Sequence, residues 1–257
     1  MSGKRVMAII RHELRLVGRD PFPVVVLVLF PVLAMLFLKP AFKLALVADG
    51  YPGANGSEQV VPGQAVLNAF FIVSMTSFAF FSEYGWNTWE RLRASAASST
   101  EIIIGKALPR LAMSLVGFIV IFAIGIPLLD LHSRGPLAAA IPLVVALAIC
   151  LVMLGVVVTA LSRTVQQANA FAMVGLVLFG AIGGALVPIN VLPAWARTIA
   201  PVTPTYWAMR GFRSVILDGT DVSGVLLPVA VLLAMSAVFA VVSVAKFRFD
   251  DTKTSWV

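Results

Sequence analysis

The side chains able to do acid–base, nucleophilic or metal chemistry are few in this sequence and lie far apart. Two histidines, His12 and His132, and one cysteine, Cys150, are too few for a Cys- or His-based metal cluster, and a lone cysteine closes no internal disulfide. No GxxxxGK[ST] phosphate loop, HExxH or GxSxG occurs, so nucleotide hydrolysis, zinc hydrolysis and serine-nucleophile chemistry lack their residues. The stretch Gly180-Ala181-Ile182-Gly183-Gly184 carries no lysine and sits in an apolar run; it reads as small residues that let helices approach closely. Glu83 and Asp130 are the acids nearest the apolar runs. Both fall where water reaches them, which suits an interfacial structural role better than a midplane proton relay.

The elements that must position these residues are membrane spans. The chain has 257 residues, 60% of them hydrophobic and 12% charged, with a mean hydropathy of +0.98, a composition far from that of soluble domains. Its apolar runs reach the roughly 17 to 25 residues that cross about 30 Å of hydrocarbon. Spans are expected at about 22–38, 63–82, 108–129, 137–161, 169–189 and 224–245. Pro23 and Pro31 in the first are tolerated in lipid when neighbours satisfy the freed carbonyls. With these spans both termini share a side, and His12 and His132 lie on opposite sides. The first twenty residues are charged throughout and no small-residue cleavage site follows them, so the N-terminus is expected to stay attached.

The net charge of +7 comes from 19 Lys and Arg against 12 Asp and Glu. These cations are dispersed between apolar runs rather than gathered on one basic domain, which argues against a nucleic-acid partner. Five precede the first span, four lie between the second and third, one is Arg163 and three are at the C-terminus. This majority on one side puts both termini of the multi-pass protein in the cytoplasm. Within 4–19, Val6, Ile9, Ile10, Leu14 and Val17 follow helical spacing with Arg5, Arg11, Arg15 and Arg19 around them. An amphipathic helix lying on the inner-leaflet lipids is expected there.

The loops, about 39–62, 83–107 and 190–223, have no room for a nucleotide-binding or catalytic domain. No internal repeat is evident, which weakens an inverted-repeat secondary transporter. The segment from Trp86 to Arg93, with Trp89, Glu90, Arg91 and Leu92, suits a short interfacial helix able to dock a soluble partner. Ser99 or Thr100 is placed to cap the run from Glu101 to Lys106. On the opposite side, Pro188, Pro193, Trp195, Pro204, Tyr206 and Arg210 break any long helix and suit an outer lid of short helices in the headgroup region, dipping partly inward before the last span.

Three features together resemble the permease subunit of the ABC-2 class of ATP-driven exporters. They are the Val61-Pro62-Gly63 opening of the second span, the WERLRAS stretch at 89–95 with EIIIGK at 101–106, and GGALVPINVLPAW at 183–195 with PTYWAMRGFR at 204–213. The resemblance runs over nearly the whole chain. It implies an all-α integral membrane protein forming one ABC-2 type transmembrane domain over 1–257, with six transmembrane helices, the N-terminal interfacial helix, a cytoplasmic coupling helix and short outer re-entrant helices. It further implies pairing with a second permease, a copy or a paralogue, above two cytoplasmic ATPase subunits that hold Mg-ATP; this chain itself would carry no cofactor and no catalytic residue. Trp89, Glu90, Arg91, Leu92, Arg93 and Glu101 would then form the ATPase-coupling segment. Ala96 stands where the family often has proline, and the short 39–62 loop does not fit members with a large external domain.

For the transport path the resemblance points to spans 2 and 5: Asn68, Phe71, Ser74, Met75, Ser77 and Phe78 from the first, Phe171, Met173, Phe179 and Leu186 from the second. Aromatics, methionine and small hydroxyls suit a hydrophobic or amphipathic, drug-like or lipid-like cargo. A polysaccharide or glycolipid exporter is the alternative within the class. An ion-coupled transporter would need a midplane charged site, and a membrane enzyme would need convergent acids or histidines; the spans offer neither.

Overall fold

The computed structural model describes Met7, residues 22–86, Thr88 and residues 99–246. The expected interfacial helix at 4–19, Met7 apart, and the segment 89–98 lie outside the described residues. Six long apolar helices make this an all-α, multi-span membrane protein. They are α1 (Phe22–Ala48), α2 (Ser57–Gly85), α3 (Ser99–Leu129), α4 (Ile141–Leu161), α5 (Val165–Ile182) and α8 (Leu226–Lys246), with two short helices, α6 (Ala194–Ile199) and α7 (Pro204–Ile216), between α5 and α8.

Helices α2 and α4 form the centre. In their most apolar windows 67% and 61% of residues are buried, against 17% or 22% for the other four, so these two are covered by protein while the others lie at the outside of the bundle. Small residues allow the close approach: a Cβ on Gly155 of α4 would stand 2.7 Å from Thr76 Cβ and 3.0 Å from Val73 O of α2. Across the same contact Ser77 Oγ donates to Gly155 O at 3.2 Å. Helix α8 packs along α4, α3 and α5 flank α2, and α1 lies against α2 and α3.

Several helices run past the limits expected from apolarity, each for a visible local reason. Helix α1 continues through Pro40 to Ala48, and Lys39 Nζ donates to Leu129 O, 2.6 Å away, where a cation meets the carbonyl end of α3. Helix α2 starts at Ser57 rather than 63, because Asn55 Oδ1 accepts from Ser57 N at 2.8 Å and the Glu58 carboxylate accepts from Asn55 N and Gly56 N. These acceptors satisfy backbone donors at the entry to the helix. Helix α3 begins at Ser99 rather than 108 and so takes in Glu101 and Lys106 ahead of Arg110. Helix α5 starts at Val165 rather than 169: Thr164 Oγ1 accepts from Gln167 N while Gln167 Oε1 accepts from Arg163 N, a variant of the capping box.

The end of α5 at Ile182, short of 189, is set by its glycines. Gly184 has φ +89, a left-handed conformation that side chains rarely adopt. Gly183 leaves room for Thr205, whose Oγ1 donates to Phe179 O, a carbonyl that also accepts from Gly183 N at 2.8 Å. Close packing, the role expected of this stretch, is seen at Gly180, where a Cβ would meet Leu67 at 2.6 Å. Gly184 differs, having no neighbour nearer than 3.9 Å to such an atom; conformation, not packing, explains it.

Candidate functional site

Where α2 ends and α3 begins, four charged residues are buried: Glu83, Glu101, Lys106 and Arg110. Lys106 Nζ stands 2.8 Å from Glu83 Oε1 and donates to Ala79 O at 2.7 Å. The ammonium also sits 5.9 Å from the Phe80 ring centre. A cation at the carbonyl end of α2 meets the favourable end of that helix's dipole. The other carboxylate oxygen of Glu83 accepts from the Thr88 hydroxyl, and Thr88 N donates to Glu83 O at 2.9 Å. Glu83 therefore ties together the end of α2, the start of the connection that follows and, through Lys106, helix α3. Glu101, expected in the coupling segment, is 2% exposed in the first turn of α3, where a carboxylate complements the helix N-terminus. Trp89, Glu90, Arg91, Leu92 and Arg93 lie outside the described residues, in the connection whose two ends this cluster joins.

The path residues expected from spans 2 and 5 are on neighbouring, antiparallel helices, since Leu67 meets Gly180 while Phe70 meets Gly175 and Phe179. The structure divides these residues by exposure. Phe78, Phe171 and Met173 are exposed, at 48%, 55% and 56%, and Phe71 and Ser74 are half-buried. Phe179 makes an edge contact with Phe70, Met75 packs partly against the core, and Leu186 covers Gly180. Ser77 is buried and its hydroxyl is engaged with Gly155 O. Asn68 differs from all of these: its buried Oδ1 has no hydrogen-bond partner among the described residues, and its Nδ2 faces Gly117 of α3. One turn from Gly117, Ser114 Oγ is likewise buried and unpartnered. Orphaned polar atoms in an apolar span are costly to stability.

At the other end of the bundle the expected lid is built around α7. Thr203 caps that helix, Pro204 occupies its first turn, and Ala208, Met209, Phe212, Val215 and Ile216 are buried. Phe212 stacks on Phe122 with ring centres 5.5 Å apart. Of the lid residues, Pro188 and Pro204 are buried, Tyr206 is half-buried, and Pro193, Trp195 and Arg210 are exposed. Residues that sequence reasoning missed hold the lid down. Asp49, beyond the expected end of α1, accepts from Asn190 Nδ2 and pairs with Arg213 at 3.5 Å. Tyr51 donates to Asp218 Oδ1 at 2.6 Å, with the Arg134 and Arg213 guanidinium groups 5.9 and 5.1 Å from its ring. Gln59 Nε2 donates to Gly184 O at 2.8 Å. The visible signal was the density of Arg, Tyr and Asp in loops on one side; which of them meet depends on the fold. Among the described residues no group of three or more His, Cys, Asp or Glu is placed to hold a metal ion.

The profile of the family described as ABC-2 type transporter matches residues 4–217, which take in every span but the last. The chain is 27% identical over 206 residues to the linearmycin resistance permease protein LnrN of Bacillus subtilis (strain 168), covering 77% of this chain and 52% of that protein. It is 26% identical over 168 residues to the probable multidrug ABC transporter permease YbhR of Escherichia coli (strain K12), covering 65% and 46%. A third relative, ABC transporter G family member 20 of Dictyostelium discoideum, is 25% identical over 221 residues, covering 85% and 30%. The chain thus spans about half the length or less of these curated relatives.

Proposed function

Because the chain belongs to the ABC-2 type transporter family, we propose that it is the permease subunit of an ATP-driven exporter. It pairs with a second permease and carries a hydrophobic or amphipathic, drug-like or lipid-like cargo outward, powered by two separate ATPase subunits that hold Mg-ATP. The family match over residues 4–217 carries this reading. Two relatives whose names speak of linearmycin resistance and of multidrug transport favour a drug-like cargo.

In this reading the end bearing Glu83 and Lys106 faces the cytoplasm, and the connection that holds Trp89, Glu90, Arg91, Leu92 and Arg93 docks on the ATPase, with buried Glu101 behind it in α3 and the helix at 4–19 on the inner leaflet. Closure of the ATPases on nucleotide moves that connection. Glu83 and Lys106 lock its two flanking helices together, so the displacement passes into α2 and α3 as a unit. Nucleotide binding then shifts the permease pair from an inward-open toward an outward-open population, and hydrolysis resets it. Phe71, Ser74, Phe78, Phe171 and Met173 face the cargo, and the unpartnered carbonyl of Asn68 on the same face of the path adds a polar contact. The α6–α7 lid with Pro188, Pro193, Trp195, Pro204, Tyr206 and Arg210 closes the outer side.

The test is a paired replacement in the docking segment. Glu90→Ala with Arg91→Ala should insert into the membrane normally while co-purifying less ATPase and exporting less cargo; unchanged recovery of ATPase and unchanged export would remove the coupling assignment.

A further inference from the structure

Beside the lid lies a half-open cavity with two arginines in its wall, which the transport reading leaves unused. It has a volume of about 240 Å³ and lies between the start of α2, the turn after α5 and helix α7, with Gln59, Gly184, Asn190, Tyr206, Arg210 and Arg213 in its wall. Its charge is unbalanced. Arg213 shares the single carboxylate of Asp49 at 3.5 Å, and Asn190 takes part of that carboxylate's capacity. Arg210 has no acidic partner among the described residues; its guanidinium lies 5.3 Å from the Trp207 ring centre. Two guanidinium groups against one carboxylate leave one net positive charge, and the Tyr206 hydroxyl adds a donor with no partner among the described residues. Guanidinium forks recognise phosphate with paired, charge-assisted hydrogen bonds.

The cavity falls below the roughly 300 to 1,000 Å³ that encloses a drug-sized ligand, so it fits a headgroup rather than a whole amphiphile. The segment that follows α5 and supplies Gly184, Ile189 and Asn190 to the wall also exposes Leu186, Val191 and Trp195, at 36%, 61% and 65%, an apolar rim suited to the boundary between headgroups and acyl chains. We infer that this pocket binds a phosphate-bearing anionic group presented at the membrane surface, Arg210 being the principal contact and the apolar rim taking the attached chains. The inference concerns the lid alone and stands apart from the exporter reading.

The experiment uses the full chain in nanodiscs, with bound lipid counted by mass spectrometry across a titration of phosphatidylglycerol against phosphatidylcholine. The wild type should retain phosphatidylglycerol in preference. Arg210→Gln should weaken that retention about tenfold, the loss of one or two charge-assisted hydrogen bonds, and Arg210→Lys should weaken it less. Arg197→Gln, an exposed lid cation outside the cavity, should leave it unchanged. Inorganic phosphate that displaces the lipid would support the same chemistry and make soluble phosphate a second source; failure to displace it assigns the site to the lipid headgroup. Equal retention of phosphatidylglycerol by the wild type, Arg210→Gln and Arg213→Gln would overturn the proposal.

Discussion

Lys106 Nζ stands 2.8 Å from Glu83 Oε1, and through this pair the last turns of α2 are tied to the first turns of α3. The ammonium also donates to Ala79 O in the last turns of α2, so it engages a backbone carbonyl as well as a carboxylate. Burying two charges is expensive, and the attraction between them roughly offsets that cost only when the remaining hydrogen bonds are made. Here they are made, on the flanks of the connection in which Trp89 to Arg93 lie. A device of this kind contributes definition of the joint more than net stability.

Removing one partner should therefore be worse than removing both. Lys106→Met or Glu83→Gln alone strands a buried polar group and should destabilise the protein by about 3 to 5 kcal/mol. The double variant Glu83→Leu with Lys106→Met should regain most of that loss in thermal unfolding in detergent, yet export poorly, because the helices are no longer locked. A double variant as unstable as either single one would contradict this account of the pair.

The two glycines after α5 should differ in their tolerance of alanine. At Gly184 only the left-handed backbone opposes a side chain, a cost of about 1 to 2 kcal/mol. At Gly183 a Cβ would fall 1.9 Å from Thr205 Oγ1, so Gly183→Ala must break the bond to Phe179 O and overfill the site, for about 2 to 5 kcal/mol together. Unfolding temperatures of the two variants in detergent check the order; a less stable Gly184→Ala would reverse it.

Asn68 should prove a residue kept at the expense of stability. Asn68→Leu removes a buried carbonyl without a partner, so the isolated permease should unfold at a higher temperature, by the equivalent of about 1 to 3 kcal/mol. Export should fall in the same variant. Lower stability with unaltered export would make Asn68 a packing residue instead.

Orientation is open to thiol labelling, since the one cysteine, Cys150, is buried. Gly53 is exposed with open space beside it, and Arg163 is exposed at the other end of the bundle. A cysteine in place of Gly53 should react with an impermeant reagent on intact cells, and one in place of Arg163 only after permeabilisation. The reverse pattern would invert the topology. Ser57, in the same outer loop by the charge count, is 0% exposed and unsuited to the test.

The six spans were legible because apolar length is a one-dimensional property. Their ends were not, because helices continue wherever polar partners cap them. Lys39 and Pro40 read as a stop, yet a carbonyl of α3 accepts the lysine and α1 runs on. Lys106 and Arg110 read as loop cations, which served the charge count, but they are buried in α3. Thr164 with Gln167 was a readable helix start that apolarity overshadowed. At the candidate site Glu83 could be singled out as an acid at the end of span 2, whereas its partner lies 23 residues further on, on another helix. Likewise nothing in the local pattern around Asp49 announces Arg213, which reaches it only after α7 folds back onto the bundle.

The most direct test of the exporter reading is native mass spectrometry of the complex extracted from its own host in mild detergent, with ATP turnover recorded on the same material. The account expects two permeases with two nucleotide-hydrolysing subunits. A chain that remains free of any ATPase across several gentle extractions would contradict it.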